Sequence, residues 1–133
     1  METLETHSFV ETVHKSGIVA LTIKDNVSFD VKDMIEAKKF STSHLPNKKI
    51  YLLVIIEGNF NTSREARELL ADPSYSSHQA AIAVVTKNFG VKLLVQMYLK
   101  VNKPKIETKI YKNERDAYNW LNKCIKAHQS IST

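Results

Sequence analysis

Apolar residues fall along this chain in two kinds of run, unbroken and periodic, and between them they mark out the elements. Ile50-Tyr51-Leu52-Leu53-Val54-Ile55-Ile56 and Ala80-Ala81-Ile82-Ala83-Val84-Val85 show no polar alternation, so each reads as a strand covered on both faces inside a parallel sheet. The small alanines of the second run predict a helix packed closely across it. Ser8–His14 and Ile18–Ile23 are β-prone runs joined by Lys15-Ser16-Gly17, which predicts an N-terminal hairpin. Lys105–Tyr111 alternates apolar residues with Lys and Glu, the pattern of an edge strand protected by its lysines.

Helical spacing fills the gaps. Asp25-Asn26-Val27-Ser28 supplies turn and cap residues, and Phe29–Phe40 then sets Val31, Met34, Ile35 and Lys38 at helical intervals, with acidic residues early and lysines late as the helix dipole prefers. His44-Leu45-Pro46-Asn47 ends that helix. Glu57-Gly58-Asn59-Phe60-Asn61 breaks the first apolar strand, and Thr62-Ser63-Arg64-Glu65 reads as a capping box for a second helix, Ser63–Leu70, with Ala66, Leu69 and Leu70 inward. Asp72-Pro73 stops it, and Ser74–Gln79 reads as a polar loop. A third helix runs from near Asn88 to about Val101. Asn113 caps a fourth, whose Ala117, Trp120, Leu121, Cys124 and Ile125 form one apolar stripe. The order ββαβαβαβα predicts a single-domain α/β fold over residues 1–133, its core from about 8 to 128, with a mixed, mostly parallel five-stranded sheet and about four helices.

Composition changes this picture little. A chain of 133 residues with 43% apolar and 25% charged residues suits one globular domain, and three Gly and three Pro leave no room for long linkers. There is no 18-residue apolar run, and Met1–Val10 mixes Glu, Thr and His where a signal peptide needs a basic start and an apolar middle, so a cytoplasmic protein without a transmembrane segment is expected. The lone Cys124 excludes an internal disulfide and a cysteine-rich metal site. The net charge of +5 is uneven: residues 87–133 carry 10 Lys and Arg against 3 Asp and Glu. Without clustered arginines or interleaved aromatics this reads as a solvated lysine-rich face, and nucleic acid is not an expected partner.

Candidate chemistry is sparse. The histidines at 7, 14, 44, 78 and 128 never fall three or four apart, so no metal site is expected. Cys124 lies on an apolar helix face, and Gly17, Gly58 and Gly90 are too scattered to cradle a phosphate. The sequence therefore predicts no catalytic residues, no enzymatic activity and no cofactor. Two features invite a binding reading. The first is the third helix, where apolar side chains fill about 240° of the helical wheel. That surplus must meet a neighbouring helix, a second subunit or an apolar ligand, with Leu93, Met97 and Val101 as the surface in question. The second is the loop at the carboxyl end of the first apolar strand, where Gly58, Asn61, Thr62, Ser63, Arg64 and Arg67 offer a partner surface. Thr62 or Ser63 there is either a plain helix cap or a phosphate acceptor beside two arginines.

The element order, the strand, loop and capped helix at Ile50–Ala71, and Asn102-Lys103-Pro104 followed by Lys109-Ile110-Tyr111 and Asp116-Ala117-Tyr118-Asn119-Trp120-Leu121 resemble the small bacterial STAS-like (SpoIIAA-like) proteins. These are relatives of the sporulation anti-sigma factor antagonist, and their fold is also compared with the lipid-binding Sec14 (CRAL-TRIO) domain. Ser63, Glu65, Ala66, Arg67 and the Ala80-Ala81-x-Ala83-Val84 strand are similar to an uncharacterised branch. The resemblance implies a non-enzymatic module for regulatory protein–protein interaction, presenting the loop and helix around residues 58–70 to a protein partner. Its alternatives are carriage of an apolar small molecule or lipid beneath helix 89–101, and a homodimer. In the antagonist the loop carries Asp-Ser-x-Gly, phosphorylated on the Ser; here the place reads Asn61-Thr62-Ser63-Arg64-Glu65, without the Asp and the Gly.

Overall fold

A computed structural model describes residues 1–132. Its main sheet has six strands in the order β1-β2-β3-β5-β7-β8. The two unbroken apolar runs are β5 (Ile50–Ile56) and β7 (Gln79–Val85), hydrogen-bonded neighbours running parallel. β3 (Ile18–Ile23) flanks β5 in parallel, and β8 (Thr108–Tyr111) closes the other edge beside β7. β2 (Phe9–Val13) returns antiparallel to β3 through a turn in which Gly17 takes φ 101°, a backbone region that glycine enters without steric penalty. β1 (Glu2–Glu5) lies antiparallel outside β2.

Strands buried on both faces need cover on both. One face carries α1 (Val31–His44), α2 (Arg64–Ala71), α3 (Pro73–Ser76) and α4 (Phe89–Asn102), whose Met34, Ala37, Ala66, Tyr75 and Val91 join Leu21, Leu52 and Val84 in one apolar core. The other face carries α5 (Glu114–Ser132), whose fully buried Ala117 and Leu121 pack against Tyr51, Leu53, Ala81 and Ala83. The predicted fourth-helix stripe is this contact, and the alanines of β7 are what let α5 approach.

Several boundaries differ from the sequence reading. The sheet has a sixth strand because β1, polar except for Leu4, pairs through its backbone at the edge, where no apolar pattern is needed, with the Thr3 and Thr12 hydroxyls meeting across the pair at 3.3 Å. A two-residue parallel pair, β4 (Val27–Ser28) with β6 (Phe60–Asn61), joins the loops after β3 and β5. There are five helices among the described residues. The stretch read as a polar loop contains α3, because Asp72 caps Ser74 N at 2.9 Å and Pro73 stands at the first helical position, where its missing N–H costs nothing. Tyr75, Ser76 and Gln79 there are buried. α1 runs to His44 rather than Phe40, its last turn supported by the Thr42 and Ser43 hydroxyls, which donate to the carbonyls of Lys38 and Phe40. Its inner stripe is Met34, Ala37 and Ser41, and Ile35 is 55% exposed. Ser63, not Thr62, caps α2, accepting from Ala66 N at 3.1 Å, and the capping box read from Thr62 and Glu65 does not form, because the position three residues after the cap is Ala66, with no side chain to return a bond.

Three of the four helices over the first face, α1, α2 and α4, start from one knot. Asp25 Oδ1 accepts from Asn59 N at 2.9 Å, Asp30 Oδ1 at the start of α1 accepts from Ser63 N at 2.9 Å, and Asn88 Nδ2 at the start of α4 donates to Asn59 Oδ1 at 2.9 Å. Gly58 sits against Asp25 with no space for a side chain, since a Cβ there would overlap the Asp25 carboxylate. Gly58→Ala should therefore break the Asp25–Asn59 hydrogen bond and lower the unfolding free energy by about 1 kcal/mol, read by urea titration; an unchanged midpoint would show that the knot does not hold the loop.

Candidate functional site

Beneath α1, α2 and α4 the helices do not fill the space above the sheet. A cavity of about 140 Å³ lies there, walled by Leu52, Val54, Ile82 and Val84 from β5 and β7 and by Leu94 and Val95 from α4. Half-buried Thr62, Arg67 and Tyr98 also line it. At one end the lining turns polar: Glu11 from β2, Lys38 and Ser41 from α1, Tyr75 from α3, then His78 and Gln79.

That polar end is incompletely satisfied. Glu11 Oε1 and Gln79 Oε1 are buried without a hydrogen-bond partner in the protein, and the His78 imidazole is served by the Tyr75 backbone alone. Glu11 reaches this position because β2 alternates, so Phe9, Glu11 and Val13 all point to the helix-covered face, and Glu11 is 2% exposed. Burial, helped by the nearby Glu36 carboxylate, raises its carboxyl from 4.5 to about 8. Burial first, then the Lys38 ammonium, lowers the His78 imidazole to about 4. Both shifts favour the uncharged form. Tyr75 stands at its centre: its hydroxyl donates to Met34 O at 2.9 Å, its ring stands edge-on to His78 with centroids 5.9 Å apart, and Lys38 Nζ lies 4.8 Å over it while donating to Tyr75 O at 2.8 Å. Burial also pushes the half-buried Tyr98 phenol up to about 12.

The residues singled out from sequence divide between two places. Thr62 and Arg67 line the cavity, and Arg67 Nη1 donates to Thr62 O at 2.6 Å. Gly58, Asn61 and Ser63 belong to the knot, and Arg64 is exposed, paired with Glu68 at 2.9 Å. The Ser63 hydroxyl is occupied as the α2 cap, and a phosphate on it would stand against Asp30, whose carboxylate hydrogen-bonds the Ser63 N–H. Leu93, Met97 and Val101 are 48%, 58% and 70% exposed on the outer side of α4, while its Leu94, Val95 and Tyr98 face the cavity. Sequence reading passed over Glu11, weighed His78 only as a metal ligand and took Tyr75 and Gln79 for parts of a polar loop. The signal for Glu11 was present, a charged residue at an inward position of an alternating strand.

On the α5 face, Cys124 is half-buried, and burial pushes its thiol up, which keeps it protonated and unreactive. The Tyr51 hydroxyl there meets His128 Nδ1. Among the described residues no three His, Cys, Asp or Glu side chains are grouped to hold a metal ion, and no helix is long and apolar enough to cross a membrane.

The two shifted groups pull stability in opposite directions. Glu11 holds a proton in the fold that the unfolded chain releases above about 4.5, so it erodes stability as pH rises from there to about 8. His78 stays neutral in the fold while the unfolded chain takes a proton below 6.5, so stability rises with pH from about 4 to 6.5. The slopes oppose each other up to pH 6.5, and above it Glu11 acts alone. Unfolding free energy should therefore fall by roughly 1–2 kcal/mol between pH 6.5 and 8, and Glu11→Gln should flatten that decline; a decline of the same size in the variant would exclude Glu11 as its source.

Comparison with known proteins agrees with the fold. No curated protein matches the chain. A solved structure, an uncharacterized protein of the DUF3478 family with a SpoIIAA-like fold from Shewanella loihica PV-4, is similar at a TM-score of 0.61 and 15% sequence identity, over 91% of this chain and 99% of that one. The mixed α/β architecture with its mostly parallel sheet is thus SpoIIAA-like, as the sequence pattern implied. Residues 12–125 match the family described as Domain of unknown function (DUF7793), and this chain belongs to that family.

Proposed function

We propose that this protein binds a small apolar molecule between its sheet and helices α1, α2 and α4, and carries out no chemistry on it. The observation that carries the reading is the cavity of about 140 Å³ with aliphatic walls beneath α4. Protein interiors are packed to crystal density, so a space of this size in so small a core is unusual, and apolar cavities of about 150 Å³ take up benzene-sized guests. The volume suits a single ring or a short chain and is too small for a two-chain lipid. Apolar walls with a few convergent polar groups are the usual composition of a ligand site. Toluene should raise the melting temperature of the wild-type protein and shift the methyl NMR signals of Val54, Ile82 and Leu94. Val95→Phe, which fills the space from α4, should abolish both effects, whereas no response in the wild type would refute the reading.

A second reading, regulatory protein–protein interaction, draws support from the outer face of α4. Phe89, Leu93, Met97 and Val101 lie four residues apart and are 48–71% exposed, an apolar stripe of the kind that marks a docking surface. The bond from Asn88 to Asn59 joins it to the loop around residues 58–70. A second copy of the chain is the simplest occupant of a self-complementary apolar stripe. Sedimentation of the wild type should then show a dimer that Met97→Glu converts to monomer with its helical content intact; a wild type that stays monomeric as concentration rises would rule the second copy out.

A further inference from the structure

We infer that the guest is a small apolar acid, its body against β5, β7 and α4 and its carboxylate on the Arg67 guanidinium and the Thr62 hydroxyl. This rests on the cavity reading above and adds the chemical class that the site takes. Arg67 and Thr62 both line the cavity, and the 2.6 Å bond from Arg67 Nη1 to Thr62 O holds the guanidinium beside that residue. Among the described residues this is the only side-chain hydrogen bond that Arg67 makes, and the ion pairs there, Lys24 with Glu5, Arg64 with Glu68 and Arg115 with Asp116, leave it without a carboxylate. One bond to a carbonyl leaves the guanidinium most of its N–H donors, in a planar fork that matches both oxygens of a carboxylate. The Thr62 hydroxyl likewise makes no hydrogen bond among the described residues.

The charges around this end favour an anion. The lining holds two cations, Lys38 and Arg67, and one carboxyl, Glu11, whose ionised form is disfavoured by burial and by Glu36. Lys38 is already turned onto Tyr75, donating to its carbonyl and lying over its ring, so Arg67 is the cation with donors to spare. The acidic groups nearest along the chain are engaged or turned out: Glu68 pairs with Arg64, Asp30 takes the Ser28 hydroxyl and the Ser63 N–H, and Glu65 is exposed. Arg67 is half-buried, so an anionic head on it keeps part of its hydration and escapes the full cost of burying a charge. A single fork suits the one charge of a carboxylate, and the volume behind it holds about a benzene ring.

The test is a set of one-ring probes that differ in the head: toluene, benzamide, benzoate and benzylamine, titrated against the full chain at pH 7 and followed by methyl NMR and melting temperature. Benzoate should bind roughly tenfold more tightly than its neutral isostere benzamide, and benzylamine more weakly than either. In Arg67→Met the preference for benzoate should fall to about twofold or less while toluene binds as before, and in Thr62→Val, which serves should the first variant fail to fold, benzoate should lose about threefold. Lys38→Met should keep the preference. Its loss there, but not in Arg67→Met, would overturn the placement of the head. Benzoate binding that survives Val95→Phe would show an anion held on the surface and overturn the inference. Equal binding of benzoate and benzamide in the wild type would overturn it and leave the cavity reading intact, whereas binding of none of the four would overturn both.

Discussion

The fold depends on a single requirement, that β5 and β7 be sealed from water on both sides. Both strands are apolar at every position from Ile50 to Ile56 and Ala80 to Val85, so neither face tolerates solvent. One face is sealed by α5 alone, which the alanines at 81 and 83 allow to pack closely. The other is roofed by helices of unequal length. α1 and α4 have 14 residues each and span about 21 Å, whereas α2 between them has 8 and spans about 12 Å. Beyond the end of α2 only the short turn of α3 bridges the gap. The cavity is the space that this mismatch leaves, and its polar end lies where α3 and the start of β7 stand in for a missing stretch of helix.

A void and a buried carboxyl both work against stability, and here they occur together. Evolutionarily neutral packing would favour a Leu or Val at position 11, because Phe9 and Val13 on the same strand face already sit in the apolar core. Glu11 instead lies in a wall where its ionised form is disfavoured by burial and by the nearby Glu36 carboxylate. On the proposed binding reading, such groups are where a guest's polar atoms would be met. The binding reading joins the cost and the arrangement in one account, which a purely structural role for the cavity does not.

Much of the fold was legible because its central strands and amphipathic helices are written in strong periodicities. Ile50–Ile56, Ala80–Val85 and the stripe from Ala117 to Ile125 each came out where the pattern put them. The errors came where a local rule has two meanings. Pro73 ends one helix and begins another, Thr62 and Ser63 are equally good caps by type, and the Ser41-Thr42-Ser43 run, unfavourable in isolation, is held helical by its own hydroxyls. The cavity lining was not legible, since Glu11 stands 64 positions before Tyr75 and 67 before His78 and joins the same lining only through tertiary packing. Periodicity did show that α4 had more apolar surface than one sheet face requires. It could not show that Leu94 and Val95 turn toward a void while Leu93 and Met97 turn outward.

The knot at Asn59 and Ser63 has a mechanical consequence. Asp30 and Asn88 bind α1 and α4 to the same short loop from which α2 departs, so three roof helices share a pivot at their amino ends, like ribs of a fan. Their carboxyl ends carry no equivalent clasp to one another in the hydrogen bonds described. Spreading the ribs at the rim strains fewer bonds than lifting them from the hub, and the rim is where Tyr98 and His78 stand. On the proposed binding reading, entry to the interior is therefore easiest beside Tyr98 and His78, at the side away from the hub.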